Sequence, residues 1–279
     1  CTCTCTCTCT CVMPIECRHT PLDGLCSHCV CRCSCELYLP PTIMGAYREA
    51  QQKHIWKLIT EQVSSPPADV ALWGDSILKQ VEGVVWPHSN VPDKRDELRV
   101  ALGRPRGRIA NLGTGFDTWE RSTRRLWMLR AVRPRLVFIG LGINDLSFGV
   151  PIEESAASLN FTIEYIRRYT TAQNSIILST VLPTRPGKVP LQKWHALNRR
   201  IRHLAAAHRV KLHEAAHLFQ RHSNNLSDAL YVDGLHLSGE GYNVWLKGLA
   251  KAFVGVSYPA WREEEDDDLD ARVQPARIS

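Results

Sequence analysis

Five short runs of bulky apolar residues are separated by longer stretches with helical periodicity, and this alternation constrains the fold most. The runs are Asp69–Trp73 (DVALW), Arg108–Leu112, Arg135–Leu141 (RLVFIGL), Ser175–Thr180 (SIILST) and Val210–His213. Apolar runs of this length, bounded by turn signals, read as strands buried on both faces. Between them, Ser76–Glu82, Asp93–Leu102, Thr118–Ala131, Ile152–Tyr169, Leu191–His208 and Ser238–Phe253 read as helices, and Ile55, Ile59 and Val63 mark a further helix over 44–63. Strands alternating with helices give an α/β protein with a parallel sheet covered on both faces. None of the apolar runs approaches the length that crosses a bilayer.

Composition divides the chain into three zones. All 12 cysteines lie in residues 1–35, which open on a repeated Cys-Thr dipeptide. Residues 1–42 are therefore expected to be a low-complexity, Cys-rich tail, disordered or foreign to the natural protein. The alternative is a thiol-rich metal-binding segment, since clustered thiolates suit zinc or copper. Residues 43–258 form the folded domain. Residues 259–279 form an acidic tail expected to be disordered. Within it, residues 262–279 hold seven carboxylates against three arginines, a net −4, leaving +10 on residues 1–261. That balance fits ordinary solvation, and no nucleic-acid reading module is present. A membrane-surface role for the basic helix with Arg199, Arg200 and Arg202 is the alternative to a solvated face. No secretory signal is visible in these residues, which slightly favours a cytoplasmic location.

In open parallel sheets, sites form at the carboxyl ends of strands. The first strand ends in Gly74-Asp75-Ser76. This allows a tight turn and places a hydroxyl and a free backbone N–H at the start of a helix. The triplet is also an ordinary helix cap. The third strand ends in Gly142-Ile143-Asn144-Asp145, where an Asn amide can face an oxyanion or simply close a turn. Just before the last helix, Asp233-Gly234-Leu235-His236 spaces a carboxylate to orient an imidazole that can act as base toward a serine. Together these three supply nucleophile, oxyanion donor and Asp-His pair. The pattern is not the nucleophile elbow, because no Gly stands two residues after Ser76.

On these residues the chain resembles the SGNH/GDSL hydrolase superfamily, over roughly residues 44–255. Within it, the stretches Ala68–Ser76 (ADVALWGDS) and Asp233–Tyr242 (DGLHLSGEGY) are most similar to the platelet-activating-factor acetylhydrolase alpha-subunit branch. The resemblance implies a flavodoxin-like three-layer α/β/α sandwich with a five-stranded parallel sheet, and ester hydrolysis without metal or cofactor. It implies that Ser76 is the nucleophile, His236 the general base and Asp233 its orienting partner. The oxyanion donors would be the Ser76 N–H, the Asn144 side chain and one N–H from the block Asn111–Thr118. In that block the family pattern has Gly before Asp117, whereas Phe116 stands here. Either the loop shifts so that Gly115 donates, or Phe116 donates and its ring walls the acyl pocket. A positive φ would be costly for Phe.

The expected reaction is two-step acyl transfer on a small-molecule ester of a lipid or carbohydrate, with acetyl the leading acyl group. It requires an uncharged His236, so activity should fall on the acid side of roughly pH 6–7. The alternatives are a lysophospholipase or thioesterase of the same fold, or a binding module weakened by Phe116. His213-Glu214-Ala215-Ala216-His217 matches the zinc-protease pattern, but it follows the fifth strand, where the two His are not expected to converge. Asn160 and Asn225 fit glycosylation sequons. Trp86, Trp119 and Phe148 flank the site blocks, as pocket lining or as core.

Overall fold

The computed structural model describes Lys53, Trp56, Thr60 and residues 66–83, 91–103, 106–170, 175–185, 188–221 and 228–253. The Cys-rich stretch, Trp86, Asn225 and the acidic tail lie outside the described residues. Of the helix expected over 44–63, only Lys53, Trp56 and Thr60 are described, and all three are helical.

The elements run β1 (Val70–Gly74), α1 (Ser76–Lys79, continued by a 3-10 turn Gln80–Glu82), α2 (Arg95–Ala101), β2 (Ile109–Asn111), α3 (Trp119–Thr123), α4 (Trp127–Val132), β3 (Leu136–Gly140), α5 (Ile143–Ser147), α6 (Ile152–Tyr169), β4 (Ile176–Ser179), α7 (Leu191–Ala207), β5 (Lys211–His213), α8 (Ala215–Arg221) and α9 (Gly239–Phe253). The strands form one parallel sheet in the order β2-β1-β3-β4-β5, the flavodoxin-like order. The β1, β3 and β4 side chains are buried almost without exception, as strands covered on both faces require. Helices α3, α4 and α7 each pack against α6, and α2 and α8 each pack against α9.

Register places the site. Val70 pairs with Leu136 and Gly74 with Gly140, so β1 and β3 end level with each other. A Cβ on Gly74 would sit 2.5 Å from the Gly140 carbonyl oxygen and 2.4 Å from Leu78 Cδ1. Only glycine lets the two strand ends approach this closely before the chain turns into α1.

The single helix expected over Thr118–Ala131 is instead two, α3 and α4. Ser122 and Thr123 hydroxyls bond back to the Trp119 and Glu120 carbonyls, which competes with helical bonding. Residues 124–126 then follow with i→i−3 bonds. The tighter turn carries Arg125 inward, while Arg124 stays outside on Glu120.

Candidate active site

Asp75 caps α1, its Oδ1 accepting from the Ile77 N–H at 2.9 Å. Ser76 is the first helical residue, so its N–H has no partner within the helix. Its Oγ lies 2.9 Å from His236 Nε2. His236 Nδ1 is 2.7 Å from Asp233 Oδ2. The other oxygen, Asp233 Oδ1, accepts from the N–H groups of Leu235 at 2.9 Å and His236 at 2.8 Å. The carboxylate is thus fixed by its own loop before it reaches the imidazole. Burial alone would raise Asp233, but the bonds from His236 and Leu235 outweigh it and hold the carboxyl below its ordinary value. The loop is pinned to the segment after β4. The Arg185 N–H donates to the Gly234 carbonyl at 2.9 Å and the Tyr231 hydroxyl to the Pro183 carbonyl at 2.7 Å.

On the other side, the β2–α3 loop is tied to β1, the Thr114 N–H donating to the Gly74 carbonyl at 2.9 Å. A turn closes from Thr114 to Asp117, and Phe116 takes a φ of 58° in it. Phe116 itself holds a conformation usually left to glycine, at about 1–2 kcal/mol. Its surroundings brace it. Arg121 Nη1 donates to the Phe116 carbonyl at 3.1 Å. The Phe116 and Phe148 rings stack with centroids 6.4 Å apart, and the Arg121 guanidinium lies 5.0 Å over Phe148.

Asn144 sits in the first turn of α5, after Gly142 with φ +121°. Its Nδ2 donates to the Asp117 carbonyl at 2.9 Å. An amide nitrogen has two hydrogens, so this bond ties Asn144 to the Phe116–Asp117 turn and leaves the second hydrogen for another acceptor.

Beneath these groups lies a buried charged layer that the sequence reading missed. Asp75, Asp117 and Asp145 are all nearly inaccessible, as is Arg125. Arg125 Nε donates to Asp117 Oδ2 at 2.7 Å, Nη1 to the Leu112 carbonyl at 2.6 Å and Nη2 to the Gly74 carbonyl at 3.1 Å. Asp145 accepts from the Trp119 N–H at 3.1 Å and the Ser155 hydroxyl at 2.8 Å. Burial pushes Asp75 up to about 7 and Asp145 up to about 6. It also raises Asp117, despite the opposing pull of Arg125. The signal available in sequence was position alone: each Asp adjoins a residue singled out for the site.

The remaining candidates sort plainly. His213 ends β5 fully buried, its Nδ1 3.1 Å from the Ser179 hydroxyl, while His217 stands exposed on α8. The helix α8 was not anticipated, but the two His still share no helical face. Among the described residues, no group of three His, Cys, Asp or Glu is placed to hold a metal, and no helix is long and apolar enough to cross a membrane. Trp119 belongs to the core, and Trp194 is buried with its Nε1 donating to the Val181 and Leu182 carbonyls at 3.0 Å each. Arg200 and Arg202 pair with Glu153 and Glu214.

A hydroxyl, imidazole and carboxylate in hydrogen-bonded series at the carboxyl edge of a parallel sheet is the arrangement serine hydrolases use. Residues 72–244 match the GDSL-like lipase/acylhydrolase family. The chain belongs to that family and is an ester-cleaving hydrolase. Solved structures share the fold. A lipase/acylhydrolase from Enterococcus faecalis aligns with a TM-score of 0.54 at 20% identity, covering 67% of this chain and 95% of that one. A putative platelet activating factor from Streptococcus pneumonia aligns at 0.56 and 21%, covering 75% and 96%. An acetylxylan esterase from Geobacillus stearothermophilus aligns at 0.55 and 18%, covering 72% and 100%. No curated protein matches in sequence.

Proposed function

We propose that the chain is a serine esterase that removes small acyl groups, acetyl foremost, from a lipid or carbohydrate alcohol. The observation that carries this reading is the series Ser76 Oγ–His236 Nε2–Asp233, with spacings of 2.9 and 2.7 Å. Ser76 attacks the ester carbonyl while His236 Nε2 takes its proton. Asp233 holds the opposite ring nitrogen and stabilises the imidazolium. The oxyanion is met by the Ser76 N–H, the remaining Asn144 amide hydrogen and an N–H of the Gly115–Phe116 turn. His236 then gives its proton to the leaving alcohol, and water releases the acid by the reverse sequence. The short acyl group is supported by the sequence likeness to the acetylhydrolase branch and by the acetyl ester named for one structural neighbour.

Hydrolysis of p-nitrophenyl acetate, butyrate and octanoate by the full chain and by Ser76→Ala tests this. Turnover that disappears in Ser76→Ala supports the serine mechanism. Turnover that survives the substitution refutes it.

A further inference from the structure

We propose that the acidic run Glu263–Asp268 of the chain's own tail docks on a basic corner of the domain, at the edge of the sheet opposite Ser76. This surface lies outside the active site, so the inference stands independently of the esterase reading.

The corner forms where β5 begins. Helix α6 ends on Arg167, Arg168 and Tyr169, the turn from α7 into β5 carries His208 and Arg209, and β5 opens on Lys211. Arg167 joins these segments, its Nη2 donating to the His208 carbonyl. The Arg168 guanidinium lies 5.3 Å over the Tyr169 ring. Arg168, Arg209 and Lys211 are exposed, as is Lys251 in the last turn of α9. Residues 165–169, 207–211 and 249–253, all among the described residues, include no carboxylate. Glu164, further back on α6, already accepts from Asn160 at 2.8 Å. Like charges gathered on one corner raise a positive potential that attracts an anion.

Helix α9 delivers the tail there. Near its start the Tyr242 hydroxyl donates to the Ile77 carbonyl, just past Ser76. Trp245 then packs edge-on against Phe138 of β3, with ring centroids 5.6 Å apart. A Cβ on Gly248 would stand 3.2 Å from Nε2 of His213, the last residue of β5. The helix therefore runs from the carboxyl edge of the sheet toward the amino edge. Its last five residues carry the chain about 7.5 Å further. Lys211 lies two strand residues behind His213, about 6.6 Å. Phe253 thus ends about level with Lys211. The nine residues between Phe253 and Glu263 span up to about 30 Å, more than the roughly 20 Å width of five strands.

Charge and tether together choose the occupant. Glu263–Asp268 is a run of six carboxylates, within the net −4 of residues 262–279 and against +10 on residues 1–261. Tethering holds such a run at an effective concentration of about millimolar, ahead of a free polyanion that binds no more tightly. An anionic bilayer at this corner would leave Ser76 turned away from the lipid, since Ser76 follows the opposite end of the sheet.

Carbodiimide coupling of carboxylates to lysines in the full chain, with the linked peptides mapped by mass spectrometry, tests this. Carboxylates of residues 263–268 should couple within one chain to Lys211 about fivefold more than to Lys193, which is exposed at the start of α7. Sodium chloride at about 1 M, which shortens the screening length to about 3 Å, should remove the excess. So should Arg168→Glu combined with Arg209→Glu, without changing the far-UV circular dichroism. Equal coupling to Lys211 and Lys193, no coupling at all, or an excess that survives salt or the charge reversal overturns the inference. Coupling only between chains overturns it too, and would give the corner to a second copy. If the double variant fails to fold, the salt series on the wild type decides alone.

Discussion

The Arg125 guanidinium lies 3.9 Å from the centroid of the Trp73 ring. From that stacked position it reaches the last carbonyl of β1, the Leu112 carbonyl and the Asp117 carboxylate. One buried cation thus joins the strand that leads to Ser76 with the turn that holds Phe116. Arg125→Met would leave Asp117 buried without its partner and remove one donor from each of two carbonyls. Breaking a buried pair from one side costs about 3–5 kcal/mol. The loss should be smaller at pH 5 than at pH 8, because burial already raises Asp117 and a proton can replace the missing charge. Urea unfolding at the two pH values checks both the size and the trend.

Asp75 yields a second prediction. Its folded value, near 7, lies above the ordinary 3.8. A carboxyl raised on folding supports the fold fully below its unfolded value and loses that support as pH rises through the folded one. Stability should therefore decline between about pH 4 and pH 7, with Asp145 adding to the decline over a narrower range. Asp75→Asn keeps an oxygen to cap Ile77 and cannot ionise. Its unfolding midpoint in urea should fall less steeply with pH than that of the wild type, the remaining decline coming from Asp145, and it should exceed the wild type at pH 8. A variant whose midpoint falls with pH as steeply as the wild type would contradict this.

The strands and site blocks were legible because they are local. Val70–Gly74 and Leu136–Gly140 are short apolar runs that can only be buried strands, and Ser76, Asn144 and Asp233–His236 each follow directly on a structural boundary. What stayed hidden depends on tertiary context. Arg121, Arg124 and Arg125 look alike in sequence. One grips the Phe116 carbonyl, one pairs on the surface with Glu120 and one is buried under the site. The break between α3 and α4 that separates them comes from side-chain bonds to the backbone. The helices α5 and α8, of 5 and 7 residues, are too short for periodicity to show. That Phe116 accepts a positive φ follows from Arg121 and Phe148, neither of which marks itself in sequence as its support.

Gly142 is the hinge between β3 and Asn144. At φ +121° it lies outside what an L-residue readily adopts, and a Cβ would meet Val181 Cγ2 at 2.8 Å and Leu197 Cδ2 at 3.0 Å. Gly142→Ala should destabilise the protein by about 1–3 kcal/mol and shift Asn144 away from the Asp117 carbonyl. The measurable outcome is a fall in kcat larger than any rise in KM, together with a lower thermal midpoint. Unchanged kcat would mean that the Asn144 position does not depend on this turn.

Asn144→Ala removes a side-chain donor without touching Ser76 or His236. Loss of one oxyanion donor lowers kcat about 10²–10³-fold, and KM should move little, since the missing bond strengthens only as charge develops on the carbonyl oxygen. The Asp117 carbonyl also loses its partner at 2.9 Å, so a modest drop in the unfolding midpoint should accompany it. Steady-state kinetics with p-nitrophenyl acetate separates the two effects. A KM increase with kcat preserved would place Asn144 in substrate binding instead.

Asp233→Asn is the sharpest test of how the imidazole is set. An Asn oxygen can still accept from the Leu235 and His236 N–H groups, as Asp233 Oδ1 does at 2.9 and 2.8 Å. The loop should keep its shape. The other atom, however, becomes an amide that donates toward His236 Nδ1, where Asp233 Oδ2 now accepts at 2.7 Å. Nδ1 must then accept, and the ring proton moves to Nε2, the atom 2.9 Å from the Ser76 hydroxyl. A protonated Nε2 cannot take the serine proton. kcat should fall about 10³–10⁴-fold at neutral pH. Asp233 is half-exposed and held below its ordinary value, so its contribution to stability is present at neutral pH and fades as pH falls through the folded value. The variant should consequently unfold slightly earlier than the wild type from neutral pH down to about pH 4, the difference closing only at more acid pH. A variant that folds like the wild type and retains kcat would remove Asp233 from the reaction and leave Ser76 and His236 to act as a pair.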